Sequence, residues 1–213
     1  MGGAVNYPCV VVGAGEVADY SRVAGMIASG AFVVCADGGT RHLTKLGVRP
    51  SLVVGDFDSL TTPLPEQTKT LPLSPQKDYT DSFHAVEAAV KQGYTRLLLT
   101  GMLGGRLDHT LANLQLMANF TGQGVDILLT DGVSDCYTLT GGGILTVPCR
   151  EGFYFSVLAL SDCYGVRIMG GKYILEGYDL SATDPRAISN EFVGRDVVIK
   201  QKSGVLCVVS SPK

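Results

Sequence analysis

Positive charge is in short supply: the formal net charge is −3. No broad basic field exists to hold a nucleic-acid backbone, so nucleic acid is not an expected partner. No apolar run approaches the ~18 residues that a membrane-spanning helix needs. The N-terminal stretch MGGAVNYPCVVVGAGE lacks the basic start of a secretory signal. The expectation is a soluble, cytoplasmic protein with no membrane partner. No Cys-x-x-C spacing occurs among the six cysteines, Cys9, Cys35, Cys136, Cys149, Cys163 and Cys207. Most sit in apolar runs such as CVVV and FVVCA, which favours reduced, core-filling thiols over a disulfide framework. The pattern G-x-x-x-x-G-K-[ST] is absent, which argues against a P-loop ATPase. No internal repeat or low-complexity segment is visible.

Hydrophobic residues are plentiful, 46% of 213, enough to bury a sizeable core. The first part of the chain alternates two periods. Residues 9–12, 31–36, 52–54, 97–99 and 127–129 read as buried strands. Between them, Val17, Tyr20, Ala24 and Ile27 recur at helical spacing with Gly30 as a stop. Leu43 and Leu46 mark a short helix ending at Gly47. Phe83, Val86 and Val90 give one helix face, and residues 107–120 give another helix. Strands alternating with helices predict an α/β fold with a Rossmann-like parallel sheet. After Asp131 no convincing helix follows. Runs at 144–147, 153–160, 166–169, 172–175, 196–201 and 204–210 predict an all-β sandwich. The expected organisation is an α/β domain over 1–134 and a β-sandwich domain over 135–213.

In an open parallel sheet, ligands bind beyond the carboxyl ends of the strands. Acidic residues and glycines collect at those ends. Asp37-Gly38-Gly39 follows one strand, and Gly55-Asp56-Phe57-Asp58 another. Gly101 and then Gly104-Gly105-Arg106-Leu107-Asp108-His109 follow a third. Lys77-Asp78-Tyr79-Thr80-Asp81 opens a helix. Neighbouring carboxylates repel unless a cation sits among them. An oxygen-rich site of few ligands suits Mg²⁺, which also shares substrate phosphates. Asp56, Asp58 and Asp81 are therefore the expected metal ligands; the bland alternative for Asp56 and Asp58 is an ordinary Asp-rich turn. Glycines at a helix start, with Arg106 nearby, suit phosphate. Asp108 could instead be a simple cap, Arg106 a solvated side chain, Lys77 a surface lysine, and Thr80 a cap or a phosphate contact.

One motif competes. Gly13-Ala14-Gly15-Glu16-Val17-Ala18 follows a strand, and Asp37 ends the next one. That matches the dinucleotide fingerprint G-x-G-x-x-A with its ribose-binding acid. A nicotinamide enzyme is thus an alternative, although it leaves GDFDS, KDYTD and GGRLDH unused.

ADGGTRHL, GDFDS, KDYTDSFHA and GGRLDHTLANL occur in this order, followed by Gly171-Lys172-Tyr173-Ile174-Leu175 and Ile188-Ser189-Asn190-Glu191. Together they resemble the thiamine pyrophosphokinase family over nearly the whole chain. The resemblance implies transfer of a pyrophosphoryl group from ATP to thiamine, giving thiamine diphosphate and AMP, with Mg²⁺ as cofactor. It also implies a homodimer with active sites shared between subunits. By position, Asp56, Asp58 and Asp81 match the magnesium ligands, and these with Arg106 form the catalytic set. Asp37, Gly38, Gly39, Lys77, Thr80, Arg106, Asp108 and His109 fall on the nucleotide side. Tyr173, Ser189 and Asn190 fall on the thiamine side. Tyr173 stands where some members carry tryptophan, and Lys77 and His109 stand where others carry glutamine. A related pyrophosphokinase acting on a pterin alcohol, or a nonenzymatic nucleotide sensor on the same fold, are the other readings.

Overall fold

A computed structural model of the chain describes residues 6–57, 64–66, 68–74, 76 and 78–213. The fold is mixed α/β, with a large sheet and a second, antiparallel sheet. The chain divides into two compact units, Met1–Leu116 with Gly124–Val133, and Met117–Gln123 with Ser134–Lys213.

The first unit runs β1 (Tyr7–Val12), α1 (Tyr20–Gly25), β2 (Ile27–Ala36), a 3-10 turn (Asp37–His42), α2 (Leu43–Leu46), β3 (Leu52–Gly55), β4 (Lys69–Pro72), α3 (Asp81–Lys91), β5 (Arg96–Thr100), α4 (Leu107–Thr121), which from Met117 on counts to the second unit, and β6 (Asp126–Thr130). Its strands lie in the order β6-β5-β1-β2-β3-β4, and each neighbouring pair is parallel. Parallel strands covered on both faces need continuous apolar runs. Val10, Val11, Val12 and Leu97, Leu98, Leu99 supply them, every one fully buried. Each such side chain contributes about 1.5–3 kcal/mol relative to exposure. Helix α3 starts where the Thr80 hydroxyl accepts from Phe83 N–H at 3.2 Å. It buries Ala85, Val86 and Ala89 and packs across β1, β2 and β3. No helix among the described residues is long and apolar enough to cross a membrane.

The second unit adds β7 (Asp135–Thr140), β8 (Gly143–Val147), β9 (Phe153–Ala159), β10 (Cys163–Met169), β11 (Leu175–Leu180), β12 (Asn190–Glu191), β13 (Val197–Gln201) and β14 (Val205–Pro212). Two antiparallel ladders result, β12-β9-β14-β7 and β11-β10-β13-β8. Inward residues from both, among them Phe155, Val157, Val208, Ile168, Val197 and Ile199, form one core.

Three local expectations fail for physical reasons. Ile27 and Gly30 do not end a helix. Helix α1 stops at Gly25, and Ile27 pairs with Tyr7 in the β1–β2 ladder. Gly30 has φ +73° and lies where that ladder's register shifts between Tyr7 and Cys9. Its left-handed backbone serves a strand irregularity. Val17 likewise lies ahead of α1, whose N-cap is Asp19. Residues 172–174 are not strand, because Tyr173 spends its backbone N–H on the Asn190 side chain. The strand begins only at Leu175. The cysteines are all free, with only Cys149 partly exposed, and burial pushes the thiols of Cys9, Cys35 and Cys207 up to about 12.

Candidate active site

Strand β1 lies between β2 and β5. The chain leaves β1 toward β2, β3 and β4, then returns to place β5 on the other side. Such a reversal opens a crevice beyond the strand carboxyl ends. A cavity of about 600 Å³ lies there. Ala14, Gly15 and Glu16 line it after β1, Ala36 and Asp37 after β2, and Gly101, Met102, Gly104, Gly105 and Arg106 after β5. Thr80, Asp81 and Ser82 line it from the start of α3, and His109 and Asn113 from α4.

Five residues expected at the site therefore converge on one cavity: Asp37, Thr80, Asp81, Arg106 and His109. Asp56 does not line it but follows Gly55, and Asp37 packs on Gly55. A Cβ built on Gly55 would lie 3.0 Å from Asp37 Cβ. Gly38 and Gly39 sit behind the wall. A Cβ on Gly39 would fall 2.1 Å from Val12 O, so glycine lets the 3-10 turn press on the end of β1. Asp108 is exposed and turned to Arg106, whose Nε and Nη2 donate to its two carboxylate oxygens at 3.2 and 2.6 Å. Those bonds hold the Asp108 carboxyl below its ordinary range and orient the guanidinium at the cavity edge. Asp58 and Lys77 lie outside the described residues.

The backbone marks the same places. Three non-glycine residues among those described have positive φ: Asp37 (+40°), Phe57 (+66°) and Ser189 (+55°). That conformation is uncommon and costly for side-chain-bearing residues, and it concentrates at functional sites. Asp37 Oδ1 is buried with no hydrogen-bond partner among the described residues. A buried, unsatisfied carboxylate oxygen costs free energy unless a cation or donor meets it. With Asp81 across the same cavity, the donor set fits a hard cation such as Mg²⁺. Among the described residues no three His, Cys, Asp or Glu side chains gather closely enough to hold an ion by themselves.

Ala14, Gly15 and Glu16 line this cavity, but residues 13–18 do not work as a dinucleotide fingerprint. That motif feeds a helix directly from its glycines, whereas α1 is capped only at Asp19. Gly13 and Gly15 are glycine for another reason. Built Cβ atoms would meet Gly101 O at 2.5 and 2.7 Å. Gly13 N–H donates to Thr100 O at 2.8 Å and Gly15 N–H to Gly101 O at 2.6 Å. Sequence reasoning missed Arg41, Ser82 and Asn113. Asn113 is buried, and its Nδ2 donates to Met102 O at 2.8 Å, fixing the loop after β5. An amide at helical spacing with the apolar Leu116, Met117 and Phe120 was the available signal.

On the second unit, Tyr173 is 60% exposed at the tip of a turn. Asn190 Oδ1 accepts from Tyr173 N–H at 3.0 Å and from Glu191 N–H at 2.8 Å, and its Nδ2 donates to Tyr173 O at 2.7 Å. The amide thus shapes the turn. Glu191 bridges Lys172 and Lys213, and their bonds bring its carboxyl down to about 2. Lys172 Nζ lies 5.5 Å from the Tyr173 ring centroid. Ser189 N–H donates to Ser156 Oγ at 3.0 Å.

Two family models match the chain. The family model described as thiamin pyrophosphokinase, catalytic domain, matches residues 23–129. The model described as thiamin pyrophosphokinase, vitamin B1 binding domain, matches residues 144–206. Thiamine pyrophosphokinase of Bacillus subtilis (strain 168) is 27% identical over 183 residues, 82% of this chain and 85% of that protein. The crystal structure of thiamin pyrophosphokinase from Geobacillus thermodenitrificans superposes with TM-score 0.81 at 26% identity, covering 96% of this chain and 97% of that one. The crystal structure of the Bacillus subtilis enzyme shares the fold, with TM-score 0.83 at 24% identity, covering 96% and 99% of the two chains. Carrying both the catalytic and the vitamin B1-binding domain, the chain belongs to the thiamin pyrophosphokinase family.

Proposed function

We propose that the cavity of the first unit holds the phosphates of ATP and that the second unit supplies the thiamine-binding face. As a thiamine diphosphokinase, the chain transfers the pyrophosphoryl group of ATP to the thiamine hydroxyl, giving thiamine diphosphate and AMP. The observation that carries the site assignment is the convergence of Asp37, Asp81, Arg106 and the 101–105 glycine loop on one cavity at the strand reversal. The thiamine hydroxyl attacks the β-phosphorus and AMP leaves. Charge then spreads over the nonbridging oxygens, so positioning and electrostatics dominate. Arg106, with Lys77, would supply fixed positive charge, and Thr80, Asp108 and His109 would orient the nucleotide. Asp56, Asp58 and Asp81 would hold Mg²⁺, which would offset the charge of the phosphates.

On this reading residues 1–134 form a Rossmann-like catalytic domain and 135–213 a β-sandwich that takes thiamine through Tyr173 and Ser189, with Asn190 shaping the turn. The family resemblance also favours a cytoplasmic homodimer whose sites draw on both subunits; sedimentation showing an active monomer would remove that part. The direct test is AMP formation from ATP in the presence of thiamine, with a hydroxymethylpterin as control acceptor. Turnover with the pterin and none with thiamine would overturn the assignment.

Thiamine is cationic and carries a flat pyrimidine, which suits an exposed aromatic face. Tyr173→Ala is expected to weaken thiamine binding by about 1 kcal/mol or more, the scale of one aromatic or cation–π contact. ATP affinity should not change. Titration calorimetry with each ligand checks this, and unchanged thiamine affinity in a folded variant would reject the platform role.

A further inference from the structure

The loop 13–18 has no part in the reaction as set out above, yet it is held from both sides. Its amides bind β5 and Gly101, as described. Its carbonyls are gripped by two consecutive residues of the 3-10 turn. Arg41 Nη2 donates to Ala14 O. His42, only 4% exposed, donates from Nε2 to Gly15 O at 2.8 Å. Its Nδ1 accepts from the Tyr20 hydroxyl at 2.7 Å. Gly15 O can only accept, so Nε2 carries the proton and Nδ1 is the acceptor of the neutral ring; Arg41 Nε also lies 3.3 Å from Nε2. Burial, helped by Arg41 and Lys45, holds the imidazole below its ordinary pKa, so the neutral form persists at neutral pH.

The turn that carries this clamp begins with Asp37. Asp37 and Gly15 both line the cavity. One short turn therefore presents a cavity carboxylate at its first residue and fixes another stretch of cavity wall through its last. We infer that His42 is a positioning residue for the nucleotide: it holds the Gly15 wall of the cavity in place, and its loss weakens ATP binding without touching the acceptor site. The inference rests on ATP occupying this cavity.

The test compares His42→Leu, His42→Gln and Tyr20→Phe in the full-length chain. His42→Leu removes the donor to Gly15 O, whereas the glutamine side chain retains an N–H able to reach it. With each substrate varied in turn, His42→Leu is expected to raise the KM for ATP about tenfold, the scale of one buried hydrogen bond left unmade. The KM for thiamine should not move, and His42→Gln should recover most of the ATP effect. Tyr20→Phe, which frees the ring that Tyr20 anchors, should shift the ATP KM in the same direction by a smaller factor. An unchanged ATP KM in folded His42→Leu would overturn the inference, as would parallel rises in both KM values, which mark general loosening. Should His42→Leu not fold, Tyr20→Phe carries the same test, with the same overturning results. If the wild-type chain forms no AMP with thiamine, the reading of the reaction fails instead. Calorimetric ATP affinity of the same variants then decides the role of His42 independently.

Discussion

Asp81→Asn is expected to lower turnover by about two to three orders of magnitude, the usual cost of deleting one electrostatic contact to a developing phosphoryl charge or its counter-ion. The fold should survive. Thr80, not Asp81, caps α3 through its hydroxyl. Asp81 adds a first-turn charge, worth about 0.3–1 kcal/mol to the helix. Activity and stability should therefore separate, with a large loss in kcat beside a small change in melting temperature. The magnesium concentration giving half-maximal rate should rise, since one of the proposed carboxylates is gone. Steady-state assays across magnesium concentrations, beside a thermal melt, check both halves. A folded Asp81→Asn protein with near-normal turnover and unchanged magnesium dependence would remove Asp81 from the site.

Gly101→Ala is expected to destabilise the first unit severely. Gly101 has φ +66°, which costs an L-residue roughly 1–2 kcal/mol. Its added Cβ would also lie 2.3 Å from Gly13 O. That oxygen is backbone and belongs to a loop held by its own hydrogen bonds, so relief requires both strand-end loops to part, at about 1–3 kcal/mol. At roughly 2–4 °C per kcal/mol for a chain of this length, the melting temperature should fall on the order of 10 °C. Gly105→Ala separates the two terms. Gly105 has φ +63°, yet nothing lies within 4 Å of a Cβ built there. It should lose only the torsional share. If the two variants melt together, close approach of the loops after β1 and β5 is not what requires glycine at position 101.

Much of this architecture is legible in the amino-acid order. Continuous apolar runs such as Val10–Val12 and Leu97–Leu99 read as strands buried on both faces, and the polar start of α3 and the spacing of Phe83, Val86 and Val90 follow from capping and periodicity, although of those three only Val86 is fully buried. Local signals failed where pairing partners distant in sequence decided the outcome. Ile27 sits at helical spacing, but Tyr7 claims it for the sheet. Tyr173 has strand propensity, but the Asn190 side chain takes its backbone N–H and O.

The candidate site divides in the same way. Acidic residues and glycines at strand ends pointed by themselves to phosphate and a hard cation, because those residue types suit both where a parallel sheet ends; the four ordered segments pointed to the family by resemblance, and the family models bear that out. Only the tertiary structure decided what residues 13–18 do. A G-x-G-x-x-A pattern is the same string whether its glycines admit a dinucleotide or another loop, and the contacts with Gly101 choose the second. The roles of Arg41, His42 and Asn113 were likewise decided by the fold, since they consist of hydrogen bonds to carbonyls 11 to 27 residues away, and such distances are closed by the fold rather than by anything adjacent in the chain.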